Sequence, residues 1–158
     1  MHHCTGFYLI SDHRTGGVWA YPCTGKEESI LLPILRQFFM HTVDPSRFVS
    51  RIFHCDYDTV LTGGKVTEYL DSQHLKIAVS APYSHHQNGQ VERAMQTVLD
   101  KARMMLAASQ APRRYWEYAV QMSAYLIMRS LNSSNSKTPY ETLCRETPDI
   151  SHVVPPLH

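Results

Sequence analysis

Residues 80–93 read Ser80-Ala-Pro-Tyr-Ser-His-His-Gln-Asn-Gly-Gln-Val-Glu-Arg93, a polar segment that leads into a long amphipathic helix. The apolar residues that follow recur with helical spacing and predict one buried stripe: Val91, Met95, Val98, Leu99, Ala102 and Leu106. Glu92 lies beside this stripe, in the predicted first turn, with Asn88 or Gly89 as the cap. We interpret Glu92 as a metal ligand. A purely structural role stays open, because the helix dipole also favours a carboxylate in the first turn.

A second carboxylate, Asp56, follows the apolar run Phe48-Val-Ser-Arg-Ile-Phe-His-Cys55. This run predicts a strand that ends just before Asp56. Carboxylates at strand tips and helix starts can converge in a folded domain, so Asp56 and Glu92 are candidate ligands of one metal site. We expect their carboxylates to lie within about 8 Å of each other, close enough to share a pair of metal ions.

Asp56 and Glu92 are separated by 35 residues, and Arg93 follows the second carboxylate. This arrangement resembles the catalytic core of retroviral and retrotransposon integrases. Further segments resemble the copia-type branch in collinear order: Ala81-Pro-Tyr83, Ala102-Arg-Met-Met-Leu106, Tyr115-Trp116, Leu126-Ile-Met-Arg129 and Lys137-Thr-Pro-Tyr-Glu141. The resemblance implies an α/β, ribonuclease-H-like fold, in which helices flank a mixed sheet.

The resemblance also implies DNA integration by two-metal strand transfer on a phosphodiester. Asp56 matches the family's second catalytic aspartate and Glu92 its glutamate, and Mg²⁺ or Mn²⁺ is the implied cofactor. The segment from Tyr83 to Gln90 would be a mobile loop that contacts DNA. The candidate nucleic-acid-binding residues are Tyr83, His86, Gln87, Asn88, Gly89, Arg93, Lys101 and Arg103.

Two departures from the family pattern weaken the expected chemistry. The family's first catalytic aspartate lies on a central strand ahead of the hairpin, and no residue here matches it. Asp12 matches a different position, although it is an alternative metal contact, and Asp58 adds a negative charge after Asp56. We therefore expect impaired metal binding, no strand transfer by this chain alone, and a sheet that is split where the central strand is absent.

Three functional hypotheses remain open. The chain is an integrase core, or a degenerate element fragment that keeps only nucleic-acid binding or pairing with intact integrase. The third possibility is an unrelated α/β domain in which both acids are ordinary surface residues. A chain with a split sheet is expected to self-associate or to accept a strand from a partner.

Composition limits the remaining possibilities. The 158 residues, 43% of them apolar, predict one core domain over 1–145 and a loosely held tail over 146–158. The net charge of +1 gives no global field for nucleic acid, although Arg113 and Arg114 add to the basic residues of the long helix. These charges either track phosphates or form a solvated face. No signal segment, membrane span or paired cysteine motif occurs, so we expect an intracellular location, in nucleus or cytoplasm, without membrane contact.

Strands and helices are predicted to alternate along the chain, which favours a partly parallel sheet. Thr24 to Glu27 has capping-box spacing before a helix that runs to about Met40. Pro33 predicts either a kink in that helix or a regular part that begins at Leu32. The remaining predicted elements are a hairpin (Phe7–Asp12 with Val18–Tyr21), a helix (Val66–Gln73), a strand (Leu75–Val79) and a helix from Tyr115.

Overall fold

The computed structural model describes residues 4–42, 52–55, 64–79, 85–131 and 136–151. The elements, in chain order, are β1 (Gly6–Ser11), β2 (Val18–Cys23), α1 (Glu28–Thr42), β3 (Ile52–Cys55), α2 (Gly64–Ser72), β4 (Lys76–Val79), α3 (His85–Ala108), α4 (Trp116–Arg129) and α5 (Pro139–Cys144). A single 3-10 turn, Arg113–Tyr115, precedes α4. The predicted alternation of strands and helices is confirmed, and the predicted tail residues 152–158 lie outside the described part.

The first two strands form the predicted hairpin. Its turn is held by Asp12, whose Oδ2 accepts hydrogen bonds from the backbone N–H (3.1 Å) and the hydroxyl (2.6 Å) of Thr15. A side chain at Gly17 would place its Cβ only 3.0 Å from both Met128 and Trp19. The turn therefore depends on one buried polar cluster and one position without a side chain.

Helix α1 is continuous from Glu28, so the predicted regular start at Leu32 is wrong. Pro33 lies inside the helix, where it removes one backbone hydrogen bond. The helix tolerates the loss of this hydrogen bond because its apolar face is buried: Leu31, Leu35, Phe38 and Phe39 are 2%, 1%, 3% and 8% exposed. Burial of each such side chain contributes roughly 1.5–3 kcal/mol, which together exceeds the local penalty of about 3 kcal/mol.

The chain divides into two compact units. One comprises Met1–Phe7 and Cys23–Gln90, and the other comprises Tyr8–Pro22 and Val91–His158. The described strands form two separate two-stranded sheets, β1 with β2 and β3 with β4. This agrees with the split sheet that the sequence predicts.

In the first unit, β3 and β4 are parallel, with Ile52 opposite Lys76 and Cys55 opposite Val79. Helix α2 packs against α1 and buries Val66 and Leu70 completely. The parallel pair follows from the α/β alternation, since a helix must connect two parallel neighbours. The predicted helix and strand of this unit are confirmed to within about two residues.

In the second unit, α3 buries Val98 and Ala102, which confirms the predicted apolar stripe of that helix. Helix α4 begins at Trp116, one residue after the predicted start at Tyr115, and buries Ala119, Val120, Ser123, Ala124 and Met128. Helix α5 opens with a complete capping box, in which Thr138 and Glu141 each accept the other's backbone N–H. Among the described helices, none is long and apolar enough to cross a membrane.

Candidate metal and DNA site

Glu92 lies two turns inside α3, not in its first turn. The helix begins at His85, so the predicted cap at Asn88 or Gly89 and the predicted loop up to Gln90 are wrong from residue 85 onward. Extending an existing helix gains a hydrogen bond for each residue added, and this outweighs about 1 kcal/mol for an interior glycine. Tyr83 lies outside the described residues, whereas His86, Gln87 and Asn88 have helical backbone.

The position of Glu92 removes one structural explanation for this carboxylate. The stabilising effect of the helix dipole falls off within the first turn, so it does not account for an acid two turns in. Glu92 is exposed and makes no hydrogen bond or ion pair with any other described residue. Its carboxylate is thus available to an external ligand.

Gly89 lies one turn before Glu92, on the same face of α3. A Cβ added at Gly89 would meet nothing within 4 Å, so packing does not require glycine at this position. Side chains of a helix lean toward its N-terminus, so Glu92 leans toward the open side of Gly89. Within the described part of the chain, this face of α3 is therefore an open strip.

The three basic residues of α3 do not form a single stripe. At about 100° per residue, Arg103 lies on the face of Glu92, about 16 Å along the axis, while Lys101 lies on the opposite side. Arg103 is held by Asp100 at 2.8 Å, and Lys101 is half-buried. Arg93 is exposed and lies about a quarter-turn from Glu92. Of the predicted phosphate contacts on α3, Arg93 is therefore the exposed one near the carboxylate, whereas Arg103 shares its face but lies farther along the helix and is paired with Asp100.

Asp56 lies outside the described residues, as does Asp58. The strand before it, β3, ends at Cys55, whose side chain is 8% exposed. Since β3 and β4 are parallel, their carboxyl ends meet at one edge, which is where open α/β sheets bind ligands. The convergence of Asp56 with Glu92 stays a prediction. Within the described residues, no group of three or more His, Cys, Asp or Glu is assembled around a metal-sized space.

The carboxylate of Asp12, the alternative metal contact, already accepts hydrogen bonds within the hairpin turn. Its carboxylate accepts hydrogen bonds from Thr15 and, at 3.4 Å, from the backbone N–H of Arg14. These contacts are those of an Asx turn, which stabilises a hairpin without any ligand. The structural role of Asp12 is therefore the better supported one.

A cation–π cluster at the end of α4 was not predicted from the sequence. The guanidinium of Arg129 lies between the rings of Tyr125 and Tyr140, at 3.6 and 4.8 Å from the centroids. The spacing of Tyr125 and Arg129 by four residues was a visible signal, because residues four apart share a helix face. The contact with Tyr140 crosses a loop and leaves no such signal.

Comparison with known proteins supports the resemblance found in the sequence. No family model matches the chain. A retrovirus-related Pol polyprotein from transposon TNT 1-94 of Nicotiana tabacum is 35% identical over 127 residues, which is 78% of this chain and 9% of the polyprotein. The corresponding polyprotein from transposon RE2 of Arabidopsis thaliana is 28% identical over 126 residues, or 78% of this chain and 8% of its own length.

Solved structures with the same fold are retroviral integrase cores. The catalytic core domain of BIV integrase aligns with a TM-score of 0.68 and 16% identity, over 88% of this chain and 85% of that one. The HTLV-2 integrase core, in complex with magnesium, aligns with a TM-score of 0.66 and 14% identity, over 87% of this chain and 83% of that one. A simian T-cell lymphotropic virus intasome in complex with a PP2A regulatory subunit aligns at 0.73 with 16% identity, over 96% of this chain and 50% of that chain.

The chain therefore has the ribonuclease-H-like fold of an integrase catalytic core. It is homologous to a segment of the Pol polyproteins of plant retrotransposons, which confirms the predicted resemblance to a copia-type integrase core. The chain spans less than a tenth of the length of these relatives.

Proposed function

We propose that this domain is a retrotransposon integrase core whose Asp56 and Glu92 contribute to a divalent metal site for DNA strand transfer. The observation that carries the proposal is the exposed carboxylate of Glu92, which has no partner among the described residues and lies beside the open face at Gly89. No helix-end role explains an acid two turns inside α3. The similarity to retrotransposon Pol polyproteins and the fold shared with integrase cores support this reaction class.

The donor chemistry fits the proposed metal. Two carboxylates are hard oxygen ligands, which Mg²⁺ and Mn²⁺ prefer. The structurally similar HTLV-2 core was solved in complex with magnesium. A bound pair of such ions activates an attacking oxygen and stabilises the leaving oxygen of a phosphodiester. Glu92 and Asp56 would hold the metal, Arg93 would neutralise a phosphate near it, and Arg103 would neutralise one farther along α3. Two carboxylates bind weakly compared with three, so we propose that metal binding is impaired and that this chain alone does not perform strand transfer.

A strand-transfer assay with an oligonucleotide substrate and Mg²⁺ or Mn²⁺ tests this proposal. We expect no product from residues 1–158. Robust product that disappears in Glu92→Gln would contradict the proposed inactivity and would show that another carboxylate, Asp12 or Asp58, completes the site. Asp12→Asn and Asp58→Asn would then identify which one.

Binding to duplex DNA forms a separate arm of the test. Neutralisation of phosphates by a few arginines releases counterions, so affinity is expected to be weak and to fall steeply between about 50 and 200 mM salt. Arg93→Ala with Arg103→Ala should lower both the affinity and its salt dependence, whereas Lys101→Ala should have the smaller effect. Retained DNA binding by a chain that does not bind Mn²⁺ would support the alternative of a non-catalytic element fragment.

Self-association is the second proposed property. In the described part of the chain, β3 and β4 form a two-stranded sheet, and Ile52 on β3 is 51% exposed. An exposed apolar side chain on a short strand favours association with another chain. Sedimentation velocity should show self-association that Ile52→Lys reduces. A monomer that unfolds cooperatively above about 50 °C, as intact mesophilic domains do, would contradict this.

A further inference from the structure

The start of α4 carries an exposed basic and aromatic surface that the proposed metal site does not use. We call it the Arg–Tyr surface and define it by Arg113, Arg114, Tyr115 and Tyr118. Both arginines are exposed, and the two tyrosines are 39% and 61% exposed. Helix α4 buries a different face, so these rings are not required for its packing.

The aromatic groups of this surface form a short row. The guanidinium carbon of Arg114 lies 5.2 Å from the centroid of the Tyr115 ring, and the Tyr115 and Tyr118 centroids are 6.2 Å apart at an angle of 47°. For a third ring to stack between two others, the two outer rings must be parallel. They must also lie about 7 Å apart, because each stacking contact takes up about 3.5 Å. A flat ligand would therefore stack on the outer face of Tyr118 and not between the two tyrosines.

The charge of this surface indicates an anionic ligand. Neither Arg113 nor Arg114 forms an ion pair with a described residue. The acidic residue in the first turn of α4 is Glu117, which is half-buried and does not pair with either arginine in the described part of the chain. Two cationic groups without an acidic partner, adjacent to an exposed ring, complement a polyanion that also offers flat faces.

We propose that the Arg–Tyr surface binds single-stranded nucleic acid, with phosphates at Arg113 and Arg114 and one base stacked on Tyr118. A duplex is a poorer occupant, because its base faces are stacked against each other. An acidic protein segment offers the charge but not the flat rings. The inference rests on the proposed function only for the class of ligand, since it needs neither the metal nor Glu92.

The test uses fluorescence anisotropy of the full chain with a labelled single-stranded oligothymidylate, in the presence of EDTA. Because base–aromatic stacking is worth about 1–3 kcal/mol, Tyr118→Ala should weaken binding about five-fold or more, with the salt dependence unchanged. Tyr118→Phe should bind like the wild type. Arg113→Ala with Arg114→Ala should weaken binding and lower the salt slope by about 1–2. Met104→Ala is the matched control, because Met104 is equally exposed at 61% and carries no ring.

A second probe separates stacking from charge. An abasic oligomer of the same length keeps the phosphates and lacks the bases, so the wild type should bind it as weakly as Tyr118→Ala binds oligothymidylate. Equal affinity of the wild type for both oligomers would overturn the proposal, as would unchanged binding in Tyr118→Ala. A loss of self-association in Tyr118→Ala without any loss of oligonucleotide binding would also overturn it, in favour of contact between copies. Because the assay contains EDTA, it does not depend on the metal site, and failure of that site would leave this result intact.

Discussion

The guanidinium carbon of Arg129 lies 3.6 Å from the centre of the Tyr125 ring and 4.8 Å from that of Tyr140. Arg129 ends α4, and Tyr140 lies in the first turn of α5. This cation–π cluster therefore joins two segments, 126–129 and 137–141, that separately resemble the copia-type branch in sequence. Their joint occurrence has a physical reason, since one supplies the cation and the other supplies a ring.

The surroundings of Tyr140 predict that removal of Arg129 and removal of the Cys144 thiol shift the Tyr140 pKa in opposite directions. That pKa is raised, first by the negative charge of neighbouring Cys144 and then by burial, while Arg129 lowers it. Arg129→Met should therefore raise the Tyr140 pKa further, and Cys144→Ser should reduce it. NMR titration of ring-labelled tyrosine, assigned with Tyr140→Phe, measures both shifts. Movement in the same direction in both variants would contradict the arrangement.

The capping box of α5 predicts an acid-sensitive helix. The backbone N–H of Thr138 donates to Glu141 and lowers the pKa of that carboxyl. A depressed folded-state pKa contributes stability above the unfolded pKa, and this stability is lost as the pH falls through the folded value. Glu141→Gln keeps an acceptor oxygen but cannot titrate. In amide hydrogen exchange of α5, the wild type should lose protection on acidification more than Glu141→Gln does, and equal profiles would refute this role.

Glu28 predicts a long-range effect on stability. Its Oε1 accepts hydrogen bonds from the backbone N–H groups of Lys65 (2.8 Å) and Val66 (3.1 Å), so it caps α2 from the start of α1. Loss of a helix cap costs about 0.5–2 kcal/mol. Glu28→Ala should therefore lower the free energy of unfolding by about 1–2 kcal/mol in urea. Glu27 is an exposed neighbour, so Glu27→Ala should change the free energy of unfolding by less than about 0.5 kcal/mol. Equal effects of the two variants would show that the cap contributes nothing.

The elements of this fold were predictable where the signal is local. The buried stripes of α1 and α3 follow from their periodicity, and the hairpin turn from its two glycines. The cap of α2 was not predictable, because Glu28 precedes its partner Lys65 by 37 positions. The start of α3 was also missed, because the segment before Val91 is polar and contains Gly89. Its helical state follows from propagation of the helix that follows it and not from its own propensities.

The candidate site also was predictable only where its signal is local, which holds for Glu92. Glu92 could be singled out from its motif, whereas its lack of a partner among the described residues is visible only in the structure. The division of the basic residues between two sides of α3 follows from helix geometry. It required the helix to be continuous through residues 92–103, which the structure shows.

Gly89→Ala should separate stability from function. An interior glycine is less favourable than alanine by about 0.5–1 kcal/mol, and the added methyl group meets nothing within 4 Å. The variant should thus be more stable by about that amount while it binds duplex DNA more weakly, because the methyl group closes the open strip beside Glu92. Thr97→Ala is the control, since it also raises helix propensity but lies about 140° around α3 from Glu92. Stronger DNA binding by Gly89→Ala would contradict the proposed approach of DNA.

The central claim is that Asp56 and Glu92 share one divalent metal site, and titration of Mn²⁺ followed by electron paramagnetic resonance tests it most directly. The two single variants, Asp56→Asn and Glu92→Gln, should each weaken Mn²⁺ binding, and the double variant should be no worse than either. Such non-additivity is expected of residues that act on one ligand. Glu68→Gln removes an exposed acid of α2 and should leave Mn²⁺ affinity unchanged. Unchanged affinity in either single variant, or two losses that simply add, would contradict the shared site and with it the proposed integrase chemistry.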